Sequence, residues 1–187
     1  MNIADDNRTD GSLTSARTIF ISGFLLLGAL LASIVAAQTA GDQRPPNVYI
    51  DKGACPFECC TFRQWVAHTD ATLLDSPNGK KVVGRIKKGE KVLALTGEVH
   101  SVPLRVIAKH DYLDAGVKAG DTIYVLYYDG EGYCRVWHNG NVVDVADFDE
   151  ERGAEPKSTW WVKLKTRSGA IGWTVSHGNF GNQDACG

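Results

Sequence analysis

Short β-forming runs separated by turn residues are the feature that most restricts the fold of this chain. Between residues 71 and 174 the sequence contains about nine such runs, rich in Val, Ile, Leu, Thr, Tyr and Trp, with Gly, Asn, Asp or Pro between them. The runs are 71–75, 81–86, 91–96, 104–109, 122–128, 133–137, 142–145, 160–166 and 170–174. Many short strands with tight turns are typical of small barrels. The sequence therefore predicts an all-β fold.

Turn residues mark two hairpins within this pattern. An Asn-Gly pair, which favours two-residue hairpin turns, follows the run 133–137, and Arg-Ser-Gly follows the run 160–166. Side chains alternate between the two faces of a strand, so the run 160–166 divides into an interior set and an outer set. The interior set is Val162, Leu164 and Thr166, and the outer set is Trp161, Lys163 and Lys165.

Two separated parts of the chain resemble the bacterial SH3-like (SH3b) repeat. The first part contains ATLLDSPNG (71–79) and VVGRIKKGEKVLAL (82–95), and the second contains WVKLKTRSGAIGW (161–173). Between them, KAGDTIYVLYYDGEGYCRVWHNG (118–140) is similar to another SH3-type core. The cysteine-rich beginning and end of the chain also resemble a group of exported bacterial proteins with SH3-like domains and no established activity.

The resemblance implies a specific domain organisation. Two small SH3-like barrels are expected, of which the first is split between residues 71–100 and 159–176. The second barrel, residues 101–158 with an acidic loop at its end, is inserted into the first or shares strands with it. A cysteine-rich segment, 54–70, precedes the barrels, and a tail tied by a disulfide, 177–187, follows them.

The N-terminal region has the layout of a secretory signal. Ile19–Ala37 is apolar and uncharged, Arg8 and Arg17 precede it, and Val-Ala-Ala at 35–37 is an A-x-A-like cleavage site before Gln38. We therefore predict a signal helix within residues 1–37. The alternatives are an uncleaved anchor, because about 19 apolar residues just span a bilayer, and a buried helix.

Export and the retained anchor both place the remaining chain outside the cytoplasm. The protein is then periplasmic or extracellular, and it touches a membrane only through an uncleaved N-terminal segment. Residues 38–53, which contain a Pro-Pro pair, are predicted to be a linker between this segment and the barrels.

Cysteine spacing favours disulfides in such a compartment. Cys55, Cys59 and Cys60 lie within six residues, and Cys186 lies near the C-terminus. A bridge from Cys186 to this cluster would tie down a terminus that otherwise frays. Adjacent Cys59 and Cys60 rarely bridge each other, and the remaining connectivity stays open. Cys134, on a strand face with Val136, is either a partner in a second bridge or a buried thiol.

Metal and redox functions are weaker alternatives. Cys-x₃-Cys-Cys lacks the C-x₂-C spacing of ordinary zinc sites, and no second ligand pair follows it. The histidines are scattered, and the C-x-x-C pair of thiol oxidoreductases does not occur. We predict no metal and no cofactor. The histidines are His68, His100, His110, His138 and His177.

Catalytic motifs are missing from the sequence. It contains no Gly-rich phosphate loop, no G-x-S-x-G and no H-E-x-x-H, so we predict that the chain is not an enzyme.

The 20 Lys and Arg residues nearly balance the 22 Asp and Glu residues, which argues against nucleic acid as a partner. Charge is locally uneven, with basic residues clustered at 80–91 and acidic residues at 144–155. Each cluster is either a solvated surface or a docking patch.

The aromatic residues suggest where a ligand binds. SH3-type barrels bind extended ligands in aromatic-lined grooves, and the resemblance implies a peptide, a cell-wall glycopeptide or a partner protein as ligand. The candidate ligand-binding residues are Trp161, Tyr128, Tyr133 and Trp173, of which the first two are the better candidates for surface positions. The alternative is a structural or assembly protein of the envelope, in which basic and acidic segments pair between subunits.

Overall fold

In the computed structural model of the chain, residues 43–148 and 155–186 are described. They belong to one compact unit, Thr39–Gly187. The predicted signal helix, within residues 1–37, and part of the predicted acidic loop, residues 149–154, lie outside the described residues. Within the described part of the chain, we find no helix with the length and apolar character needed to cross a membrane.

The described residues form twelve β-strands and one 3₁₀ helix, η1, with no α-helix among them. The prediction of an all-β fold is confirmed, and every predicted run contains an observed strand. The strands are β1 (Tyr49–Lys52), β2 (Gln64–Ala67), β3 (Ala71–Leu74), β4 (Val82–Ile86), β5 (Lys91–Val102), β6 (Leu104–Ile107), β7 (Thr122–Tyr128), β8 (Cys134–His138), β9 (Asn141–Val145), β10 (Lys157–Lys165), β11 (Ile171–Val175) and β12 (Phe180–Gly181). The 3₁₀ helix η1 is Leu113–Ala115.

The first sheet has eight antiparallel strands and curls into a half-barrel. Its order is β12-β2-β5-β10-β11-β3-β4, and β1 pairs with the far end of β5. Strand β5 is the longest, with 12 residues, and it pairs with β2 near its start, with β1 near its end and with β10 along most of its length. It therefore organises the whole sheet.

Gly97 in β5 permits a close approach that no larger residue would allow. A Cβ atom at this position would lie 2.5 Å from both the Ala54 carbonyl oxygen and Trp160 Nε1. These two atoms form a hydrogen bond of 3.1 Å, in which the indole donates. The ladder between β5 and β10 is also irregular nearby, between Lys163 and Leu164, and such bulges increase local twist and bending. Both features favour the curl of the sheet.

The concave side of the first sheet carries the first hydrophobic core. The predicted interior residues Val162, Leu164 and Thr166 are all buried, so the predicted face assignment of this strand is confirmed. Burial of large side chains such as Trp65 supplies the main stabilisation of this half of the protein. The core consists of Trp65, Ala67, Leu73, Ile86, Val92, Ala94, Val162, Leu164 and Phe180.

The second sheet comes from the chain between β5 and β10. Its order is β6-β7-β8-β9, all antiparallel, and β6 begins two residues after β5 ends. It covers a separate core. That core consists of Ala108, Val117, Ile123, Val125, Cys134, Val136, Val145 and Phe148. The chain returns to the first sheet at Lys157.

Strand β1 lies in the segment predicted to be a linker, and that prediction is wrong for Tyr49–Lys52. The strand pairs with β5, and the ring of Tyr49 packs edge-on against Trp137 at 6.3 Å between ring centroids. Trp137 Nε1 also donates a 2.6 Å hydrogen bond to the Gln43 carbonyl oxygen. These contacts join the segment to both sheets.

An ion-pair network, formed by Asp51, Tyr127, Arg135 and Asp144, links the two sheets. Arg135 in β8 donates to both carboxylate oxygens of Asp144 in β9, at 2.8 and 3.2 Å, and to Asp51 in β1 at 2.7 Å. The Tyr127 hydroxyl donates to Asp51 at 2.5 Å. The hydrogen bonds to Asp144 are the main reason that the pKa of Arg135 is raised. Burial, followed by the bond to Asp51, raises the pKa of Tyr127, so both groups stay protonated at physiological pH.

Substitution of Asp129 tests the electrostatics near this network. Burial is the main reason that the pKa of the Asp129 carboxyl is raised; Arg135 lowers it, and Asp144 and Asp51 raise it further. Because the folded protein disfavours the ionised form, we expect Asp129→Asn to raise the melting temperature at pH 7. The gain should shrink as the pH falls and vanish below about pH 3.9, where ordinary aspartate is protonated. Melting curves across this pH range measure the effect.

Asp70 provides the matched control. Hydrogen bonds from Lys87 and from the Lys88 backbone lower the pKa of its carboxyl, so the ionised form is favoured in the folded protein. Asp70→Asn should therefore give no gain at pH 7. Equal melting shifts for the two variants would contradict this account.

Two disulfides occur among the described residues: one is local, and the other ties the segment between β1 and β2 to the C-terminal residues. Cys55 pairs with Cys60, and Cys59 pairs with Cys186. The prediction that these four cysteines form disulfides is confirmed. Cys134 is buried and lies outside both disulfides, and its Sγ donates to the Tyr127 carbonyl oxygen at 3.4 Å. The disulfides are compatible with an oxidising location.

Candidate functional site

A groove opens where β3 and β11 diverge. These strands share one registered pair, Leu74 with Trp173, and the groove begins beyond it. Its volume is about 280 Å³. The lining residues include Asp70, Thr72, Trp161, Val175, His177 and Asn179. We refer to this feature as the β3–β11 groove.

Trp161 is the one predicted site residue that lines the groove. It lies on the same face of β10 as Lys163, as predicted, but it is only 7% exposed, so the expectation of a surface ring is wrong. Trp161 lines the groove together with side chains from β3, β11 and the loop after β11. Trp161 is thus buried although it lies on the convex face of the sheet, because these neighbouring side chains surround it.

The indole nitrogen of Trp161 has no hydrogen-bond partner among the described residues. Three other tryptophans, Trp65, Trp137 and Trp160, donate to backbone carbonyl oxygens at 3.0, 2.6 and 3.1 Å. A buried donor without an acceptor costs about 1–3 kcal/mol, and such groups are rare in folded proteins. A ligand in the groove that presents an acceptor to this N–H would remove that cost.

Polar groups surround the groove. Asn179 is held in place because its carbonyl oxygen accepts from the His68 backbone N–H at 2.7 Å, and its Oδ1 accepts from the Thr69 hydroxyl at 3.3 Å. Asp70 accepts from Lys87 Nζ at 2.8 Å and from the Lys88 backbone N–H at 2.9 Å. Its lowered pKa, caused first by the Lys87 hydrogen bond, keeps the carboxylate ionised. The site therefore combines apolar lining residues, such as Trp161 and Val175, with fixed polar groups, which is typical of ligand sites.

Trp173 lies beside the groove but is also poorly accessible, at 9% exposed. The Lys163 ammonium nitrogen lies 5.7 Å from its ring centroid, within the range of a cation–π interaction. Lys163 and Trp173 are direct partners in the β10–β11 ladder. One face of the indole is thus covered by the lysine, so a ligand would reach Trp173 only by displacing that side chain.

The two predicted tyrosines lie elsewhere. Tyr128 is half-buried, and its ring packs near Phe148 in the second core, with 6.4 Å between ring centroids. Tyr133 is 49% exposed in the turn before β8. The structure thus places Trp161 and Trp173 on one face of the first sheet, Tyr128 at the end of β7 in the second sheet, and Tyr133 in the turn that follows. The predicted set does not form a single site.

Of the nine residues that line the groove, only Trp161 was predicted from the sequence; the other eight, which include Thr72, Val175, His177 and Asn179, were not. Strand alternation places Thr72 and Val175 on the outer face of their strands, but only the divergence of β3 from β11 gives this position a cavity. The sequence signal available was the polar His-Gly-Asn stretch directly after β11, which is a common position for ligand-binding loops.

A second concavity, of about 320 Å³, lies beside η1 and is lined by four aspartates and His110. Two of its carboxylates are already bonded within the protein. Asp111 accepts from the Ala119 backbone N–H, and Asp144 accepts from Arg135. An acidic surface on which two carboxylates already accept hydrogen bonds from the protein is weaker evidence of a ligand site than a buried donor without an acceptor. We therefore favour the β3–β11 groove.

One group of possible metal ligands occurs among the described residues. A ligand atom from each of Glu58, Cys59 and Cys186 lies within 4.8 Å of the others. The two sulfur atoms are bonded to each other, so they offer no thiolate ligands. Glu131 raises the pKa of Glu58, first by charge repulsion and then by a hydrogen bond. This disulfide form does not fit a thiolate metal site.

The geometry of the β3–β11 groove is the basis for assigning a function to this chain. It offers a defined cavity, a buried indole donor and an anchored polar loop. No protein-family model, no curated protein and no solved structure matches the chain.

Proposed function

We propose that this chain is a noncatalytic exported binding module built from SH3-like barrels, and that it recognises a peptide, a cell-wall glycopeptide or a partner protein in the β3–β11 groove. The observation that carries the proposal is a cavity lined by Trp161, a residue whose buried indole N–H lacks an acceptor among the described residues. A bound carbonyl or hydroxyl oxygen would satisfy it.

The topology supports the SH3-like part of the proposal. The sequence segments that resemble SH3b repeats, 71–79, 82–95 and 161–173, form β3, β4, the start of β5, the second half of β10 and most of β11. These strands are neighbours in the first sheet although the second sheet separates their segments in sequence. A split first barrel with an inserted second one is consistent with this arrangement.

The size of the groove limits what enters it. A cavity of about 280 Å³ is at the lower end of the range for small-molecule sites, which is about 300–1,000 Å³. It accommodates one or two side chains or a single sugar ring. A peptide or glycan would therefore insert one unit beside Trp161 and continue along the surface.

Substitution of Trp161 tests the role of the indole donor. Trp161→Phe keeps an aromatic ring at the groove but removes the N–H, so we expect about two- to tenfold weaker binding, because one hydrogen bond is worth about 0.5–1.5 kcal/mol. The measurement is retention of the mature protein on purified cell wall, followed by titration with soluble wall glycopeptides and with peptides from envelope extracts.

Trp173→Phe is the matched control. It changes a tryptophan on the same face whose ring is covered by Lys163, so its binding should stay close to that of the wild type. Equal losses for both variants would contradict a specific role for the Trp161 N–H. Concentration-dependent assembly without any wall or peptide binding would favour an assembly protein instead.

The same samples test the noncatalytic part of the proposal. Peptidoglycan incubated with the mature protein should show no loss of turbidity and no released fragments. Release of fragments that depends on protein concentration would contradict it, and loss of the release in a groove variant would then identify the groove as an active site.

A further inference from the structure

The convex face of the first sheet carries exposed aliphatic side chains in adjacent positions. Strand register aligns Gln64, Leu93, Lys165 and Ile171 in one row across β2, β5, β10 and β11. Leu93 is 46% exposed and Ile171 is 45% exposed, and Leu95, two residues along β5, is 39% exposed. Leu93 and Ile171 flank Lys165 in this row, and Leu95 follows Leu93 on the same face of β5, so the three aliphatic side chains belong to one surface.

Basic side chains frame these aliphatic residues. Lys91, Lys165 and Arg167 line a concavity of about 480 Å³ together with Gln64 and Leu93. Within residues 43–148 and 155–186, the ion pairs involve other cations, and none involves these three. We refer to Lys91, Leu93, Leu95, Lys165, Arg167 and Ile171 as the basic outer face.

We propose that the basic outer face docks an acidic segment of a partner protein that also carries aliphatic side chains. We infer that the docked segment is acidic because three cations without ion-pair partners attract carboxylates. We infer that the segment also carries aliphatic side chains because a purely charged polymer would leave the exposed leucines and isoleucine in contact with water.

The strand geometry defines the spacing of the docked segment. Along β5, Lys91, Leu93 and Leu95 alternate with buried Val92 and Ala94, so the exposed side chains are about 6.7 Å apart. An extended peptide repeats its side chains on one face with the same spacing. The fitting segment is therefore extended, with a carboxylate at one position and aliphatic side chains two and four residues further on.

This surface is separate from the β3–β11 groove, and the inference does not depend on the groove. None of the six residues of the basic outer face lines the groove. Failure of the groove proposal would leave the docking proposal intact, and the reverse also holds.

The test uses a fluorescently labelled peptide, Glu-Thr-Leu-Thr-Leu-Thr-Glu, titrated with the mature protein and followed by anisotropy. We expect the triple variant Lys91→Gln/Lys165→Gln/Arg167→Gln to bind it at least about tenfold more weakly than the wild type. Wild-type binding should also weaken by about tenfold when salt rises from about 50 to about 500 mM, because exposed charges are screened. Melting curves check that each variant is folded.

A second triple variant, Lys81→Gln/Lys88→Gln/Lys118→Gln, serves as the control for net charge. It removes three exposed lysines that lie outside the strands, and it should bind the peptide like the wild type. Equal weakening in both triple variants, or no binding by the wild type, would overturn the proposal.

Two further measurements distinguish the proposed partner segment from other molecules that could bind this surface. A peptide with serine in place of leucine should bind at least about fivefold more weakly, and equal binding would show a surface for polyanions in general. Sedimentation of the wild type and the first triple variant tests a second copy of the chain as occupant. Self-association that only the wild type shows would overturn the proposal of a separate partner.

Discussion

Replacing both cysteines of the Cys59–Cys186 disulfide is expected to lower the free energy of unfolding by about 4–5 kcal/mol. The bridge joins residues 127 positions apart, and in the chain-entropy model a longer loop gives a larger stabilisation. For a domain of this size, the loss is a large fraction of the total stability. Urea unfolding of Cys59→Ser/Cys186→Ser under oxidising conditions measures it.

The second disulfide is the internal control for this expectation. Cys55 and Cys60 are only 5 residues apart, so Cys55→Ser/Cys60→Ser should lose about 2 kcal/mol in the same model. Backbone hydrogen bonds from Ala185 to Cys59 and from Thr61 to Gln183 remain in both variants. Equal losses, or the larger loss in the short-loop variant, would contradict the assignment of the long bridge as the main covalent constraint.

Arg135→Ala is expected to have the next largest effect, a loss of about 3 kcal/mol. Arg135 is the cation to which both Asp51 and Asp144 bind. Its removal leaves the mostly buried Asp51 carboxylate with only the Tyr127 hydroxyl from this network. Because Asp51 belongs to β1 and Arg135 to β8, the loss should also loosen the contact between the two sheets. Hydrogen exchange of the β1 amides, together with urea unfolding, measures both effects.

Arg135→Lys separates charge from geometry. Lysine keeps the positive charge but cannot bond both oxygens of Asp144 in the way that the planar guanidinium does. We expect an intermediate loss of about 1–2 kcal/mol. A loss below about 1 kcal/mol for Arg135→Ala would show that the network contributes little and that apolar contacts, such as those of Val99, Leu126 and Tyr127, hold the sheets together.

The strands could be predicted from sequence where local pattern alone determines them. Nine strands were predicted correctly from β-branched and aromatic runs with turn residues between them. The alternation of side chains along β10 also identified its buried face. The prediction missed three strands, β1, β2 and β12. Strand β1 has no local signal beyond four residues and forms because β5 extends past residue 96 to Val102. Gly97 interrupts the β-forming run in sequence, yet the close packing of Trp160 requires it there.

The site was less predictable, because it depends on contacts between distant parts of the chain. Strand alternation placed Trp161 on the correct face of β10. Its burial could not be predicted, because residues of β3, β11 and the loop after β11 surround its side chain. Tyr128 and Tyr133 were grouped with it by residue type alone. The disulfide pairing stayed open for the same reason, since it depends on how the cysteine cluster meets the C-terminal residues.

The most direct test of the central claim is to follow the Trp161 indole N–H by nitrogen-15 NMR while ligand is added. Five tryptophans give five indole signals, and Trp161→Phe identifies the one of interest. We expect soluble wall glycopeptides or envelope peptides to shift the Trp161 signal and to slow its exchange with solvent, as its donor gains an acceptor. Saturable binding that leaves the Trp161 signal unchanged, or no binding of either kind of ligand, would contradict the assignment of the groove as the binding site.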